Sequence, residues 1–371
     1  MRPPAALRAT EHTPDQEQYA VQLSSQRASR DKVNAVLNCA NTDPVPLFMP
    51  AIYEHKAWFI GDTPSNVSRD ADLLTRAVLT EFEQLGPDAL TVGVDVYNLE
   101  AEAAGCKCTF YEGDDTSIPG IRPGDHVVKI GDDLANRPVP NPATDGRMPI
   151  NIEAAKNVVT ELGDEVWVRG AVSGPFSLAI SLMGAEDLFL ATLDDPQFVH
   201  DLLAYSGRII KAFGRAYIDV GADVIIFDSQ ASPDLLSPKM YDQYIRPVTQ
   251  DLAAYFLDQG VAHTPLIIGG NTTGLIDALL TTGANNLLCD FTADWSKWLD
   301  KCRETNRSVR RNLDPTFIQK AEPEAIHEAA VNAVRAGQGF GGFILGTAVV
   351  PYATPTENLL AVKQACVEAG V

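Results

Sequence analysis

Residues 265–274 read PLIIGGNTTG. A short apolar run, Leu266 to Ile268, ends in Gly269, Gly270 and Asn271. Successive side chains of a strand point to opposite faces, so consecutive apolar positions mean a strand covered on both sides. That is the signature of a parallel sheet sandwiched by helices. The two glycines let a ligand or another backbone come close to the turn that follows. The turn offers one amide and two hydroxyls, but no Cys, His or carboxylate. Any chemistry at this strand end must draw on other strands.

The same pattern recurs along the chain. Eight β-rich runs end in Gly, Asp, Asn or Pro: VPLFMP (45–50), ALTVGVDV (89–96), VWVRGAVSG (166–174), VIIFDS (224–229), PLIIGGN (265–271), NLLCDF (286–291), VRRNLD (309–314) and GFILGTAV (342–349). Amphipathic stretches separate them. Residues 195–221, 237–260 and 354–370 carry apolar side chains at helical spacing and end in Gly. Eight strand–helix units with parallel spacing predict an α/β fold, a (β/α)8 TIM barrel over residues 44–371. Residues 1–43 are expected to form an N-terminal helical extension. The turn-rich segment 97–165 is expected to be an insertion after strand 2, lying over the barrel mouth.

The bulk numbers fit an enzyme-sized barrel. The chain has 371 residues, 45% of them apolar and 21% charged, enough for a large core. Its net charge of −20 disfavours nucleic acid, anionic membranes and polyanionic substrates, unless a local basic pocket exists. No stretch reaches the roughly 18 consecutive apolar residues of a membrane span. The opening MRPPAALRATEHTPDQEQ lacks the apolar core of a signal peptide. A cytoplasmic location is expected, with the six scattered cysteines reduced. A homodimer is compatible with all of this.

Barrel enzymes place their chemistry at the C-terminal ends of the strands. Glu54 and His55 follow the first run and are candidates for acid–base work or for a plain helix start. Asp228 and Asp290 close the fourth and sixth runs; each can face a substrate or be held by backbone donors. Asn271 offers a donor and an acceptor, or caps its own turn. Tyr97, Asn98, Arg169, Ser173, Arg311 and Tyr352 complete the substrate-binding candidates. Asp314 precedes a proline and suits a turn. Glu100 and Glu102 fit a solvated helix face, and Cys106-x-Cys108 stands without a second pair, which is weak for a metal. GAVSGPFSLA (170–179) lacks both the GxGxxG and Walker spacings, so no nucleotide loop is expected.

Four stretches carry a family likeness: GADVIIFDSQASPDLLSPKMYDQYIRP (221–247), PLIIGGNTTGLIDALLTTGANNLLCDF (265–291), NLDPTFI (312–318) and FILGTAVVPYATPTENLLAV (343–362). In them the chain resembles the uroporphyrinogen decarboxylase superfamily, which includes corrinoid-dependent methyltransferases. NLEAEAAGC (98–106) is similar to a segment of that methyltransferase branch. The resemblance implies the barrel, and a pocket that includes Asp228, Asn271 and the stretch after Arg169. It also exposes departures. Thiol-methylating relatives bind zinc through His-x-Cys on the fifth strand and Cys on the eighth, because a zinc-bound thiolate is a strong nucleophile. Here those positions are Ile267, Gly269 and Ala348, so no metal is expected at that site. The decarboxylases' Met-Arg-Gln-Ala-Gly-Arg signature is replaced by FMPAIYEHKAWFIG (48–61), and their late His matches Thr347.

The resemblance therefore implies a cobalamin (corrinoid)-dependent methyltransferase, with the corrinoid on a partner protein. The methyl group would pass to or from a non-thiol substrate such as a methyl ether, a methylated amine or a tetrahydrofolate. Asp228, Asp290, Glu54 or His55 would protonate or orient the heteroatom. The alternatives are a decarboxylase-like lyase acting on a small carboxylate, with Arg169 or Arg311 as its cation, and a non-catalytic ligand-binding barrel.

Overall fold

The computed structural model describes residues 30–43 and 45–368. Residues 1–29 of the expected extension, and 369–371 at the end of the barrel segment, lie outside the described residues.

All eight expected strands form: β1 Leu47–Ala51, β2 Ala89–Val92, β3 Trp167–Ser173, β4 Asp223–Phe227, β5 Leu266–Ile267, β6 Asn286–Cys289, β7 Ser308–Leu313 and β8 Phe343–Val349. They pair in parallel as two four-stranded halves, β1-β8-β7-β6 and β2-β3-β4-β5. A single bridge, Pro265 to Asn286, joins β5 to β6. At the other seam Asp88 ties β2 to β1. Its amide donates to the Phe48 carbonyl at 3.0 Å, and its carboxylate accepts from the Phe48 amide at 2.6 Å. The ring is a (β/α)8 barrel with helices outside.

Local sequence explains the helices between strands. Asp70 accepts from the amides of Asp72 and Leu73, both at 2.9 Å, to start Ala71–Leu85, and Gly86 ends it at φ +51°. Asp195 caps Pro196–Asp219 by accepting from the Phe198 amide at 3.1 Å. The expected helix after β4 runs from Pro238 to Asp258 but widens to a π turn at Tyr241–Ile245. Pro247 follows immediately and has no amide hydrogen to give the preceding turn.

The pleat sorts the strands into two cores. Val224, Ile226, Leu266 and Ile268 face the helices. Ile225, Phe227 and Ile267 face inward, with Ala51, Tyr53, Ala171 and Leu288. At the N-terminal end of the barrel, helix Arg30–Leu37 packs Val33, Val36 and Leu37 against Leu47, Met49, Trp167 and Ile344. The described part of the extension is thus a plug for the barrel floor.

The expected insertion is shorter than 97–165. Met148–Leu162 is the regular helix between β2 and β3, burying Ala154, Ala155 and Val158 and packing on Ala71–Leu85. The turn-rich lead-in masked it. Residues 104–146 carry a small hairpin, Cys108–Thr109 with Gly120–Ile121. Tyr111 donates its amide to Ser65 Oγ at 2.9 Å, and Asn98 Nδ2 donates to the Pro119 carbonyl at 2.8 Å. Further on, Tyr205 Oη donates to the Pro138 carbonyl at 2.9 Å. The segment therefore walls one side of the mouth and continues down the helical flank. Arg147 fastens its end, at 2.7 Å from Asp95 and 2.6 Å from Glu102, with its guanidinium over Phe110.

Asp88→Ala removes the charged acceptor at the β1–β2 seam. A loss of about 1.5–3 kcal/mol is expected, that of a hydrogen bond to a charged group. Urea denaturation checks it, and an unchanged midpoint would show that the seam does not depend on this carboxylate.

Candidate active site

The inward residues near the C-terminal strand ends make an aromatic cluster, the candidate substrate pocket. Tyr53 meets Phe227 edge-on at 5.3 Å and Tyr97 at 6.3 Å. Val96, Ile267 and Leu288 pack with them, and Val349 closes against the group. These are extensions of β1 to β6 and β8, so the lining is set by strand phase rather than by one loop.

Four carboxylates follow the strand ends, and the structure gives them different work. Asp290 lies at the end of β6, only 8% exposed. It accepts from the Gly270 amide at 2.9 Å and from Asn312 Nδ2 at 3.0 Å, lacing the ends of β5, β6 and β7.

Asp228 is corrected. It is fully buried on the helix side of β4, one residue past inward-facing Phe227. It accepts from the Ser177 amide at 2.8 Å, at the start of helix Pro175–Met183. A Cβ on Gly174 would collide with it at 2.1 Å. Burial pushes its pKa up to about 6, against the pull of the Ser177 and Phe176 donors. Its role is to seat the β3 turn, and its carboxylate does not face the pocket.

Glu54 follows Tyr53 at the mouth. It starts the helix His55–Phe59 but makes no capping bond. One of its carboxylate oxygens, Oε2, is buried with no partner among the described residues. Burial raises its pKa, with Lys56 pulling the other way. Its charge acts on both Tyr53 and Tyr97, which places it beside the aromatic pocket.

Glu100, expected on a solvated face, is instead fully buried. Ser173 donates its amide to it at 2.6 Å and its hydroxyl at 2.9 Å. Burial pushes its pKa up to about 7.

His55 is fully buried, beside the Phe59 ring. Its Nδ1 is 2.6 Å from the Tyr352 carbonyl. A carbonyl only accepts, so Nδ1 carries the hydrogen, and Nε2 holds a buried lone pair with no donor. Burial pushes the imidazole pKa down to about 4, so it stays neutral. Tyr352 is structural on both sides, since its hydroxyl donates to the Asp62 carbonyl at 2.6 Å.

Among the other candidates, Tyr97 lines the pocket, while Asn98 is used by Asp95 and the Pro119 carbonyl. Asn271 caps its own turn, taking Thr273 Oγ1 at 2.6 Å, and is exposed. Asp314 likewise caps Pro315–Lys320. Arg311 is corrected: it points at the helices, over Trp295, with Nη1 donating to the Ala333 carbonyl at 3.5 Å. Its neighbour Arg310, absent from the expected candidates, is the one buried in the barrel interior, at 3% exposure. Arg169 is inward too, donating to Thr91 Oγ1 at 2.9 Å.

The donor set does not fit a zinc ion at the fifth strand. Ile267 is inward and 7% exposed, Gly269 has no side chain, and no group of three or more His, Cys, Asp or Glu among the described residues could hold a metal. Cys106 and Cys108 are separately engaged, with Cys106 Sγ directed to the Ser181 carbonyl and Cys108 Sγ accepting from Arg147.

The family model for uroporphyrinogen decarboxylase matches residues 28–369. The chain belongs to that family. It is 29% identical over 302 residues to a methylcobamide:CoM methyltransferase of Methanosarcina acetivorans, covering 78% of this chain and 82% of that one. It is 27% identical over 300 residues to a uroporphyrinogen decarboxylase of Parasynechococcus marenigrum, covering 78% and 81%. A solved methyltransferase from Methanosarcina mazei shares the fold, with a TM-score of 0.78 at 22% identity, covering 91% of this chain and 97% of that one. The relatives are thus enzymes of two chemistries on one barrel.

Glu100 yields a pH prediction. Its folded pKa of about 7 lies above its ordinary 4.5, so the protonated form is the one the fold favours. That contribution is present below about 4.5 and is lost as pH rises through about 7. Glu100→Gln can still accept from the Ser173 amide and donate to its hydroxyl. The melting temperature of the variant relative to the parent should therefore rise by ~2 °C or more between pH 5 and pH 8. Other titrating groups cancel in this difference. A difference that does not change with pH would refute the assignment.

Proposed function

We propose that this protein transfers a methyl group between a corrinoid carried by a partner protein and a small non-thiol substrate. The observation that carries the reading is the aromatic, apolar cluster at the strand ends with Glu54 beside it, one carboxylate oxygen buried without a partner among the described residues. The Methanosarcina relative's name supports the reaction class. Ile267 and Gly269 remove the side chains that would hold a thiol-activating metal, which argues for a substrate whose heteroatom is managed by a proton instead.

The corrinoid would supply or accept the methyl group. What this chain contributes is placement and a proton. Tyr53, Tyr97 and Phe227 offer ring faces and edges to a methyl-bearing group and exclude water. Glu54, whose pKa burial raises, is suited to give a proton to a departing oxygen or nitrogen, or to take one from an accepting group. Asp290, Glu100 and Asp228 keep the strand ends in register around it.

A docking face for the partner is also available. Leu235, Phe291 and Phe317 are exposed large apolar side chains in the segments that follow β4, β6 and β7. In this topology those segments lie on the mouth face. Apolar groups there suit a partner that must bring a flat macrocycle to the pocket.

The test is to mix the protein with cob(I)alamin and a panel of methyl ethers, methylated amines and methyltetrahydrofolate, and to follow the corrinoid spectrum. One donor class should convert it. Glu54→Gln should slow that conversion by about 10²–10⁴-fold, as expected when a positioned acid–base group is lost. If no donor alters the spectrum and no methylcobalamin is consumed, the reading fails. A decarboxylase-like lyase is the second reading, favoured by the cations inside the barrel; release of carbon dioxide from small acids, with no corrinoid present, would establish it.

A further inference from the structure

Two arginines stand inside the barrel with no ion pair among the described residues. Arg169 is 3% exposed; its Nη2 is bonded to Thr91, but its Nε is buried with no partner. Its guanidinium stacks 4.7 Å from the Trp167 ring centre. Arg310 is also 3% exposed. Its Nε is likewise buried and unpartnered, and among the described residues none of its nitrogens makes a hydrogen bond or ion pair. The stem of Arg310 lies along Gly346, where a Cβ would come within 2.9 Å of Arg310 Cδ. A Cβ there would also meet the Met49 carbonyl oxygen at 2.5 Å, so β1 and the Arg310 stem both close on this glycine.

The surroundings do not neutralise the pair. The two guanidiniums repel each other, and burial together with that repulsion lowers the Arg169 pKa to about 10. Asp223 and Glu81 act on Arg169, and Asp290 on Arg310, but only at longer range. Asp223 takes Trp167 Nε1, Glu81 takes Lys56, and Asp290 takes Gly270 and Asn312. The Tyr53 ring reaches into the field of both arginines while its edge lines the aromatic pocket. Tyr53 thus belongs to the aromatic cluster and lies within electrostatic range of both guanidiniums.

Buried charges are ordinarily paired, because removing an ion from water without compensation is costly. A guanidinium presents planar donors that match a carboxylate two at a time. We infer that Arg169 and Arg310 form an anion-binding subsite beneath the aromatic pocket, with Tyr53 at its edge, that takes the carboxylate end of the small-molecule substrate. This inference rests on the aromatic enclosure being the substrate pocket, and it narrows the methyl-bearing substrate to one that carries a carboxylate, such as a methoxylated aromatic acid or a methylated amino acid.

The experiment measures binding without any corrinoid, so it is independent of methyl transfer. Thermal unfolding is followed with acetate, benzoate and 4-methoxybenzoate, each against its neutral amide, and with sodium chloride and sodium sulfate at matched ionic strength. At least one carboxylate should raise the melting temperature where its amide does not. Arg310→Met keeps length and removes the charge. It should keep or raise the ligand-free melting temperature, because an unpaired buried charge is gone, while weakening carboxylate binding at least about tenfold. Arg310→Lys should retain part of the binding. The inference is overturned if no carboxylate protects, if amide and carboxylate protect equally, if Arg310→Met binds as the parent does, or if chloride or sulfate protects as well as every carboxylate. A marked fall in the ligand-free stability of Arg310→Met also overturns it, because the guanidinium would then be part of the fold. Carboxylate binding with no corrinoid reaction leaves the subsite standing and removes the proposed transfer chemistry.

Discussion

The two-residue pleat of the parallel strands decides what each side chain of this barrel can do. One step along a strand moves a residue from the barrel interior to the helical layer. Phe227 faces the pocket and Asp228 faces a helix N-terminus. Arg310 is inside and Arg311 lies over Trp295. Ile267 points in, while Leu266 and Ile268 join the outer core. Every functional assignment inherits this phase, and the phase is held by ties at the strand ends: Asp88 at the β1–β2 seam, and Asp290 across β5, β6 and β7.

This also explains what the amino-acid sequence reveals and what it conceals. The eight runs are legible because strands covered on both faces are apolar throughout, and because Gly, Asp and Asn punctuate their ends. The same continuity hides the phase: in VIIFDS or VRRNLD nothing alternates, so neither run says which of two neighbours faces inward. Asp228 and Arg311 are natural choices by position along the chain and fall on the wrong side of the sheet. Glu100 carries the reverse error. Its segment has the composition of a solvated helix, yet the insertion and β3 bury it against Ser173. The helix Met148–Leu162 is hidden for a further reason, since its amphipathic pattern follows directly on a long turn-rich lead-in. The identities at Ile267 and Gly269, by contrast, are legible directly, because a ligand set depends on side-chain identity at fixed spacing and not on phase.

The polar groups around the pocket divide into those that are satisfied and those that are not. Asp228, Asp290 and Glu100 each accept at least two donors and hold turns or strand ends in place. Among the described residues, Glu54, His55, Arg169 and Arg310 each leave a buried polar atom without a partner. An unsatisfied buried group costs stability, so its persistence calls for a compensating contact that the folded chain alone does not provide. Satisfaction identifies Asp228, Asp290 and Glu100 as parts of the frame and leaves Glu54, Arg169 and Arg310 among the groups with capacity to meet a ligand. It does so independently of the family likeness, which points to Asp228.

The overall acidity and the cationic interior are compatible, and together they narrow the ligand. A net charge of −20 repels anions at long range, but in physiological salt that field decays over about 8 Å. Within the barrel, where water is excluded, the nearest charges dominate, and these are the two guanidiniums. Each negative charge on an approaching molecule meets the exterior repulsion, while the interior offers only one pair of cations to offset it. A ligand with one carboxylate gains the full interior attraction against a small screened penalty. A ligand with many carboxylates meets a larger penalty and finds no further cations inside. On this balance the proposed subsite favours a small, singly charged acid over a polyanion.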